Sequence, residues 1–132
     1  MKRLPSWVLW ALPVAYMLAI FVASSANWGV SIPSAFPLRD KGVHFIEYAI
    51  LAFFCAHAAR GTWPNRSLLR TAAFGALIAV LFGLSDELHQ AFVPGRTAEL
   101  LDLVADGLGA VAGAGARVLL DPIRPFAPES AG

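Results

Sequence analysis

Residues 4–26 of the chain read LPSWVLWALPVAYMLAIFVASSA, a run of 23 residues without a charged side chain. A helix needs about 20 apolar residues to cross about 30 Å of hydrocarbon, so this run predicts a transmembrane helix. Lys2 and Arg3 precede the run and small residues end it, a pattern that also fits a secretory signal peptide. The apolar core of a signal peptide has only about 7–15 residues, so the greater length favours a retained helix.

The composition of the whole chain agrees with a membrane location. Of the 132 residues, 58% are hydrophobic and 14% are charged, whereas a soluble domain has about 25% charged residues. A soluble domain of this size would need far more polar residues to cover its surface. Together with a formal net charge of +1, this excludes a soluble enzyme and a nucleic-acid-binding protein. The single cysteine, Cys55, excludes an intrachain disulfide and a cysteine metal cluster.

Three further apolar stretches follow the first, and short segments containing proline or glycine separate them. They cover residues 42–59, 68–85 and 100–120. The sequence therefore predicts an all-α integral membrane bundle of four transmembrane helices, with residues 1–120 as its single domain. Residues 121–132 contain three prolines and are predicted to be a flexible C-terminal tail.

The distribution of lysine and arginine predicts the orientation of the bundle. With the N-terminus in the cytoplasm, the cytoplasmic side holds seven basic residues: Lys2, Arg3, Arg60, Arg66, Arg70, Arg117 and Arg124. The outer side then holds three, which are Arg39, Lys41 and Arg96. Because positive charge accumulates inside, both termini are expected to be cytoplasmic, as in a multi-pass protein of the cytoplasmic membrane.

Polar residues recur at helical spacing in three of the predicted helices. They are Asp40, His44 and Glu47 in the second, Asp86, His89 and Gln90 in the third, and Asp102 and Asp106 in the fourth. Each set lies on one helix face, and the alternating topology brings all three sets to the outer half of the membrane. Charges at this depth are costly, so we expect them to face the bundle interior and to pair.

The fourth helix carries glycines on the same stripe as its aspartates. Gly109 and Gly113 form a small-x-x-x-small face, which lets another helix approach closely. The acidic face and the packing face are therefore predicted to be one inward surface. The same glycine face is also a candidate contact for a homo-oligomer.

Acidic residues outnumber basic ones in the predicted outer cluster. Seven carboxylates, Asp40, Glu47, Asp86, Glu87, Glu99, Asp102 and Asp106, accompany only three fixed cations. Protonated carboxyls, cationic histidines, or a divalent metal with His44 or His89 as a nitrogen ligand could each account for the excess. The sequence has no HExxH motif and identifies neither a metal nor a cofactor.

Three motifs contain most of the polar residues: DKGVHFIEYAIL at residues 40–51, SDELHQAFVPGR at 85–96 and DLVADGLGAVAG at 102–113. In this order they resemble the motifs of the VanZ-like family of small bacterial membrane proteins. The resemblance covers roughly residues 38–115, and Asp106 stands where the family pattern has asparagine. It implies a multi-pass cytoplasmic-membrane protein related to one associated with teicoplanin resistance. By position it also implies functional roles for Asp40, His44, Glu47, Asp86, Glu87, Gln90, Arg96 and Asp102.

The first functional hypothesis is that the protein binds, or acts on, a lipid-linked cell-envelope component at the outer leaflet. The candidate catalytic residues are Asp40, His44, Glu47, Asp86, Glu87 and Asp102. The candidate substrate-binding residues are Lys41, Gln90, Arg96 and Asp106. Carboxylates can act as general acids or bases, and arginine or lysine can hold a phosphate or carboxylate.

Two alternatives remain open at this point. Intramembrane carboxylates and histidines are typical of proton relays, which fits a small oligomeric proton-coupled transporter. In the other alternative, the polar cluster only holds the helices of a non-catalytic membrane scaffold together. The sequence does not decide whether the protein is an enzyme.

Overall fold

The computed structural model describes residues 4–25 and 39–121, which form four α-helices and no β-strand. The helices are α1 (Ser6–Ser25), α2 (Arg39–Thr62), α3 (Leu68–Gln90) and α4 (Leu100–Leu119). At about 1.5 Å per residue, each is about 30–36 Å long, close to the thickness of a hydrocarbon core. The all-α architecture predicted from the sequence is confirmed.

The helices extend further into the polar segments than the apolar stretches do. α2 begins three residues before Gly42, and α3 continues through the polar residues that follow Ser85. The polar residues at these ends therefore lie on rigid helix rather than in loops. Residues 27–37, which contain Gly29, Pro33 and Pro37 and are predicted to be a loop between the first two helices, lie outside the described residues. So does the predicted tail after Asp121.

Successive helices alternate in direction. Near the start of α1 and the end of α2, Trp10 Nε1 donates a hydrogen bond of 3.0 Å to the Thr62 hydroxyl. At the other end of the bundle, the Ser24 hydroxyl of α1 donates to Asp86 of α3. α2 packs against all three other helices and is the centre of the bundle. These contacts give α1 a structural role in the bundle.

Most side chains in the interior are small or polar, with Tyr48 and Leu51 as large exceptions, whereas large apolar side chains cover the outside. The buried apolar residues include Ala52, Ala56, Ala58, Ala59, Ala72, Ala79, Ala105, Ala110 and Ala114. The exposed ones include Trp7, Leu12, Leu18, Ile46, Leu69, Leu81, Phe92, Leu101, Leu108, Val111 and Leu119. A soluble protein shows the reverse arrangement, but a helix bundle surrounded by lipid tails is expected to look like this.

Glycine allows the closest helix contacts. A Cβ atom added to Gly113 would lie 2.8 Å from the Cα of Ala49, and one added to Gly109 would lie 2.9 Å from the carbonyl carbon of Phe45. Both distances are shorter than van der Waals contact allows, so only glycine fits between α4 and α2. The predicted packing face is thus used within the chain, and α2 occupies the surface that we had considered for a homo-oligomer.

Three helices have the length and composition of membrane spans: α1, α2 from Asp40 onward, and α3. α4 differs because it carries three charged residues, Asp102, Asp106 and Arg117. All three are buried, at 2%, 0% and 8% exposure, so the surface of α4 that faces outward is apolar.

Candidate functional site

One end of the bundle collects most of the acidic residues. We call it the acidic end, and it comprises residues 39–47 at the start of α2, 86–96 at and after the end of α3, and 99–106 at the start of α4. The predicted convergence of three separate segments is thus found in the structure. It follows from the alternating direction of the helices, which places two helix starts beside one helix end.

Lys41 links α2 to α4 at the acidic end. Its ammonium group donates to the carboxylate of Asp102 and, at 2.6 Å, to that of Glu99. Asp102 is buried, whereas Glu99 is half exposed, so the lysine spans the boundary between interior and surface. The hydrogen bond and the charge of Lys41 hold the pKa of Glu99, just outside α4, below its ordinary value.

His44 forms a second connection between the same helices. Its Nδ1 lies 2.9 Å from Oδ1 of Asp106, one turn along α4 from Asp102. Its Nε2 lies 3.7 Å from Oδ2 of Asp102, so the imidazole sits between the two aspartates. The i, i+4 spacing of the aspartates makes this arrangement possible because it places both on one face of α4.

The end of α3 contributes three buried polar side chains. Asp86 accepts a hydrogen bond of 2.5 Å from Ser24 of α1 and one of 3.1 Å from Gln90. Glu87 points towards α4, where its Oε2 accepts a hydrogen bond of 3.2 Å from the backbone N–H of Glu99. These two neighbouring acidic residues of α3 therefore contact different helices: Asp86 contacts α1, and Glu87 contacts the start of α4.

A tight turn after α3 positions Arg96. The backbone N–H of Arg96 donates a hydrogen bond of 3.1 Å to the carbonyl of Val93, and the two residues between them are Pro94 and Gly95. Gly95 has φ 80°, which a residue with a Cβ rarely adopts, and proline followed by glycine is typical of a type II turn. From this turn the side chain of Arg96 extends back to α1, where its guanidinium donates a hydrogen bond of 3.2 Å to the carbonyl of Ala23.

A polar cavity of about 190 Å³ lies between these elements. Its polar lining consists of Ser24, Asp40, His44, Glu47, Asp86, Gln90 and Arg96. α1, α2, α3 and the turn after α3 all contribute to it. Six of the ten candidate site residues line this cavity: Asp40, His44, Glu47, Asp86, Gln90 and Arg96.

The other four candidates lie beside the cavity rather than in its wall. Lys41 and Asp102 bind each other, Asp106 binds His44, and Glu87 binds the backbone before α4. His89, the other candidate nitrogen ligand, does not line the cavity. It hydrogen-bonds Ser25 at 2.8 Å and stacks on Phe21, with the ring centroids 4.6 Å apart.

The sequence model of the VanZ/LLP1 family matches residues 7–121, which includes all four helices apart from the first residue of α1. The chain belongs to the VanZ/LLP1 family. No curated protein and no solved structure matches it. The family resemblance drawn from the three motifs is therefore confirmed, and this VanZ/LLP1 chain is a membrane protein.

The opposite end of this VanZ/LLP1 protein holds a second polar cluster, which the sequence pattern did not predict. Arg117 donates to Nδ1 of His57 at 3.3 Å and to Asp121 at 2.8 Å, and Arg60 lies 3.8 Å from Asp121. In the charge count Arg117 was simply one of the cytoplasmic residues, yet it is only 8% exposed. Its i, i+4 spacing from Asp121 was the available signal.

Ser24 lines the cavity although the sequence pattern did not predict a role for it. It appeared only as part of a possible cleavage signal, whereas in the VanZ/LLP1 structure it is buried and bonded to Asp86. A serine near the end of an apolar helix gives no sequence signal of such a contact. Only the packing of α1 beside the end of α3 reveals it.

Proposed function

We propose that this VanZ/LLP1 protein binds the polar head of a lipid-linked cell-envelope component in the cavity at the acidic end. The observation that carries the proposal is the position of Arg96 in the wall of that cavity. Among the described residues, no carboxylate lies within ion-pair distance of its guanidinium, in contrast to Lys41. An arginine in this situation is suited to a phosphate, which it can hold through charge-assisted hydrogen bonds.

Glu47 is the second residue that favours a ligand. It lines the cavity, is half-buried, and makes no hydrogen bond or ion pair with any described residue. With Asp86 and Gln90 nearby, it could accept hydrogen bonds from hydroxyl groups next to a phosphate. If a bond in the ligand is broken, Glu47 is the group that we propose as proton acceptor.

The size of the cavity restricts what it can take. Pockets that enclose a whole drug-sized ligand have about 300–1,000 Å³, and this one has about 190 Å³. It therefore suits a phosphate with part of a sugar, while the lipid chain would remain in the bilayer. A membrane-anchored ligand agrees with a site at the end of a bundle whose sides are apolar.

The proposal places all four helices across the cytoplasmic membrane, with both termini in the cytoplasm. The acidic end then lies at the outer leaflet, where envelope precursors are used. A role in susceptibility to teicoplanin, as the family resemblance implies, belongs to the same proposal. The burial of every charged residue of α4 supports α4 as the fourth span.

Proton-coupled transport receives less support from the structure. Between the two polar clusters, the buried residues of the described helices include Tyr48, Leu51, Ala52, Cys55, Ala79 and Ala110. Only Tyr48 and Cys55 in this set are ionisable, and the set contains no carboxylate or histidine of the kind that proton relays use. A purely structural role explains Lys41, Asp102 and Ser24, but it leaves unexplained Glu47 and the charge of Arg96, whose hydrogen bond to Ala23 needs no cation.

The test is binding of a polyprenyl phosphate, compared with the matching polyprenol, to the detergent-solubilised protein by native mass spectrometry. A hydrogen bond to a charged group contributes about 1.5–3 kcal/mol, so Arg96→Gln should weaken phosphate binding about 10- to 100-fold. Arg66→Gln is the matched control, since Arg66 is exposed at the opposite end. Polyprenol binding should change little in either variant.

Equal binding of the phosphate and the alcohol by the wild type would contradict the proposal. So would an Arg96→Gln variant that retains its preference for the phosphate. The envelope role is tested separately, by teicoplanin susceptibility of a deletion strain that carries wild-type, Arg96→Gln or Arg66→Gln protein. If deletion of the gene leaves teicoplanin susceptibility unchanged, the proposed resistance role is refuted, but the proposed lipid binding is not.

A further inference from the structure

Two buried carboxylate oxygens at the acidic end have no partner. Oε1 of Glu87 and Oδ2 of Asp106 are both inaccessible and make no hydrogen bond with any described residue. Glu87 is 5% exposed and Asp106 is 0% exposed. Because a buried carboxylate oxygen without a hydrogen bond is costly inside a protein, and more so within a membrane, these two atoms call for a ligand.

The protein's own cations do not supply this ligand. Lys41 is bound to Asp102 and Glu99, and Arg96 points to the carbonyl of Ala23. Among the described residues, no lysine or arginine lies within ion-pair distance of Glu87 or Asp106. The imidazole of His44 reaches Asp106, but it contacts Oδ1 and leaves Oδ2 free.

We propose that His44, Glu87 and Asp106 form a binding site for a divalent transition-metal ion, Zn²⁺ or Mn²⁺. One ligand atom from each residue lies within 4.8 Å of the other two, and all three residues are buried. A metal–ligand distance of about 2.0–2.2 Å places neighbouring ligand atoms about 3.4 Å apart, so small side-chain movements would complete the site. Three helices hold these residues, which makes the site part of the bundle.

The donor set determines the class of metal. One imidazole nitrogen and two carboxylates suit Zn²⁺ or Mn²⁺, whereas Ca²⁺ and Mg²⁺ prefer oxygen ligands alone. A second group, Asp40, His44 and Asp102, has similar spacing. It is less suitable, because Lys41 already binds Asp102 and Asp40 is exposed.

The metal site does not rest on lipid binding. It uses Glu87 and Asp106, neither of which lines the cavity, and only His44 is shared between the two sites. Its test therefore contains no lipid phosphate. Failure of either proposal leaves the result for the other unchanged.

The experiment measures metal binding to the full-length protein in detergent. Metal content after purification is measured by inductively coupled plasma mass spectrometry, and chelator-treated protein is titrated with Zn²⁺, Mn²⁺, Mg²⁺ and Ca²⁺ by calorimetry. We expect about one transition-metal ion per chain. Glu87→Gln and Asp106→Asn, which keep the side-chain shape, should each weaken its binding at least about tenfold. Asp121→Asn, at the opposite end, is the matched control and should bind as the wild type does.

Wild-type protein that binds none of the four ions would overturn the proposal, because protons must then neutralise the carboxylates. Binding that both variants retain within about twofold would overturn it equally, since the ion would lie elsewhere. Circular dichroism and gel filtration establish that each variant is folded. If one variant does not fold, the metal affinity of the other variant and the metal stoichiometry of the wild type still test the proposal.

Discussion

The contact between Gly113 and α2 permits a quantitative prediction from a single methyl group. An alanine Cβ at this position would lie 2.6 Å from the carbonyl carbon of Ala49 and 2.8 Å from its Cα. The carbonyl oxygen of Ala49 would lie closer still, and ordinary contact begins at 3.4 Å, so α4 and α2 must separate by more than 1 Å. A gap of that size already forfeits about a quarter to a half of the dispersion energy of each contact across it.

The same helix offers a control of identical chemistry. Gly115 is exposed, and a Cβ added to it would meet no atom within 4 Å. Gly115→Ala should therefore gain about 0.5–1 kcal/mol from the greater helix propensity of alanine. Gly113→Ala gains the same propensity but loses more through overpacking, for a net destabilisation of about 1–3 kcal/mol.

The two variants should thus change stability in opposite directions, by about 1.5–4 kcal/mol in total. Unfolding in mixed micelles with increasing sodium dodecyl sulfate, followed by circular dichroism, measures this difference. Because Lys41 and His44 also join α2 to α4, separating the helices should weaken these contacts as well. If the Gly113→Ala variant is as stable as the Gly115→Ala variant, the close packing of α4 on α2 is refuted.

Two further predictions concern the turn and the topology. Gly95→Ala places a Cβ on a residue with φ 80°, so we expect a loss of about 1 kcal/mol in unfolding free energy and weaker phosphate binding through displacement of Arg96. If the Gly95→Ala variant matches the wild type in both stability and phosphate binding, the turn does not position Arg96. Reporter fusions at Gly132 should be active with a cytoplasmic reporter and inactive with a periplasmic one, and the reverse pattern would invert the orientation of the bundle.

The sequence was sufficient to predict the helices and the convergence of polar residues. Long apolar runs determine where membrane helices form, and alternating direction determines which of their ends meet. The spacing of Asp102, Asp106, Gly109 and Gly113 also predicted correctly that the acidic and packing faces of α4 coincide. All four residues are buried in the structure.

The pairing of individual groups could not be predicted from the sequence. Helical periodicity shows which face of a helix a residue occupies, but not how far one helix is shifted along its neighbour. That shift decides that Lys41 meets Asp102 while His44 meets Asp106, one turn further along α4. The contact between Ser24 and Asp86 depends in the same way on the position of α1.

Charge counting failed for one residue for a related reason. A basic residue near the end of a span is counted for orientation whether it is exposed or paired. Arg117 is buried against His57 and Asp121, so it contributes to helix packing as well as to the charge distribution. Nothing in the count distinguishes the two situations, whereas the spacing to Asp121 could have done so.

The pattern of partners separates architecture from function at the acidic end. Lys41, Asp102 and Asp86 each have a partner on another helix, and bundle stability alone can account for such buried pairs. Stability does not account for the free oxygens of Glu87 and Asp106, because a buried polar group without a partner destabilises the fold. Nor does it account for the half-buried carboxylate of Glu47, or for the charge of Arg96, whose hydrogen bond goes to a backbone carbonyl. A ligand at these four residues would supply the missing hydrogen bonds and countercharges. They divide into a cationic and acidic cavity wall, suited to a lipid headgroup, and a pair of carboxylates beside a histidine, suited to a metal.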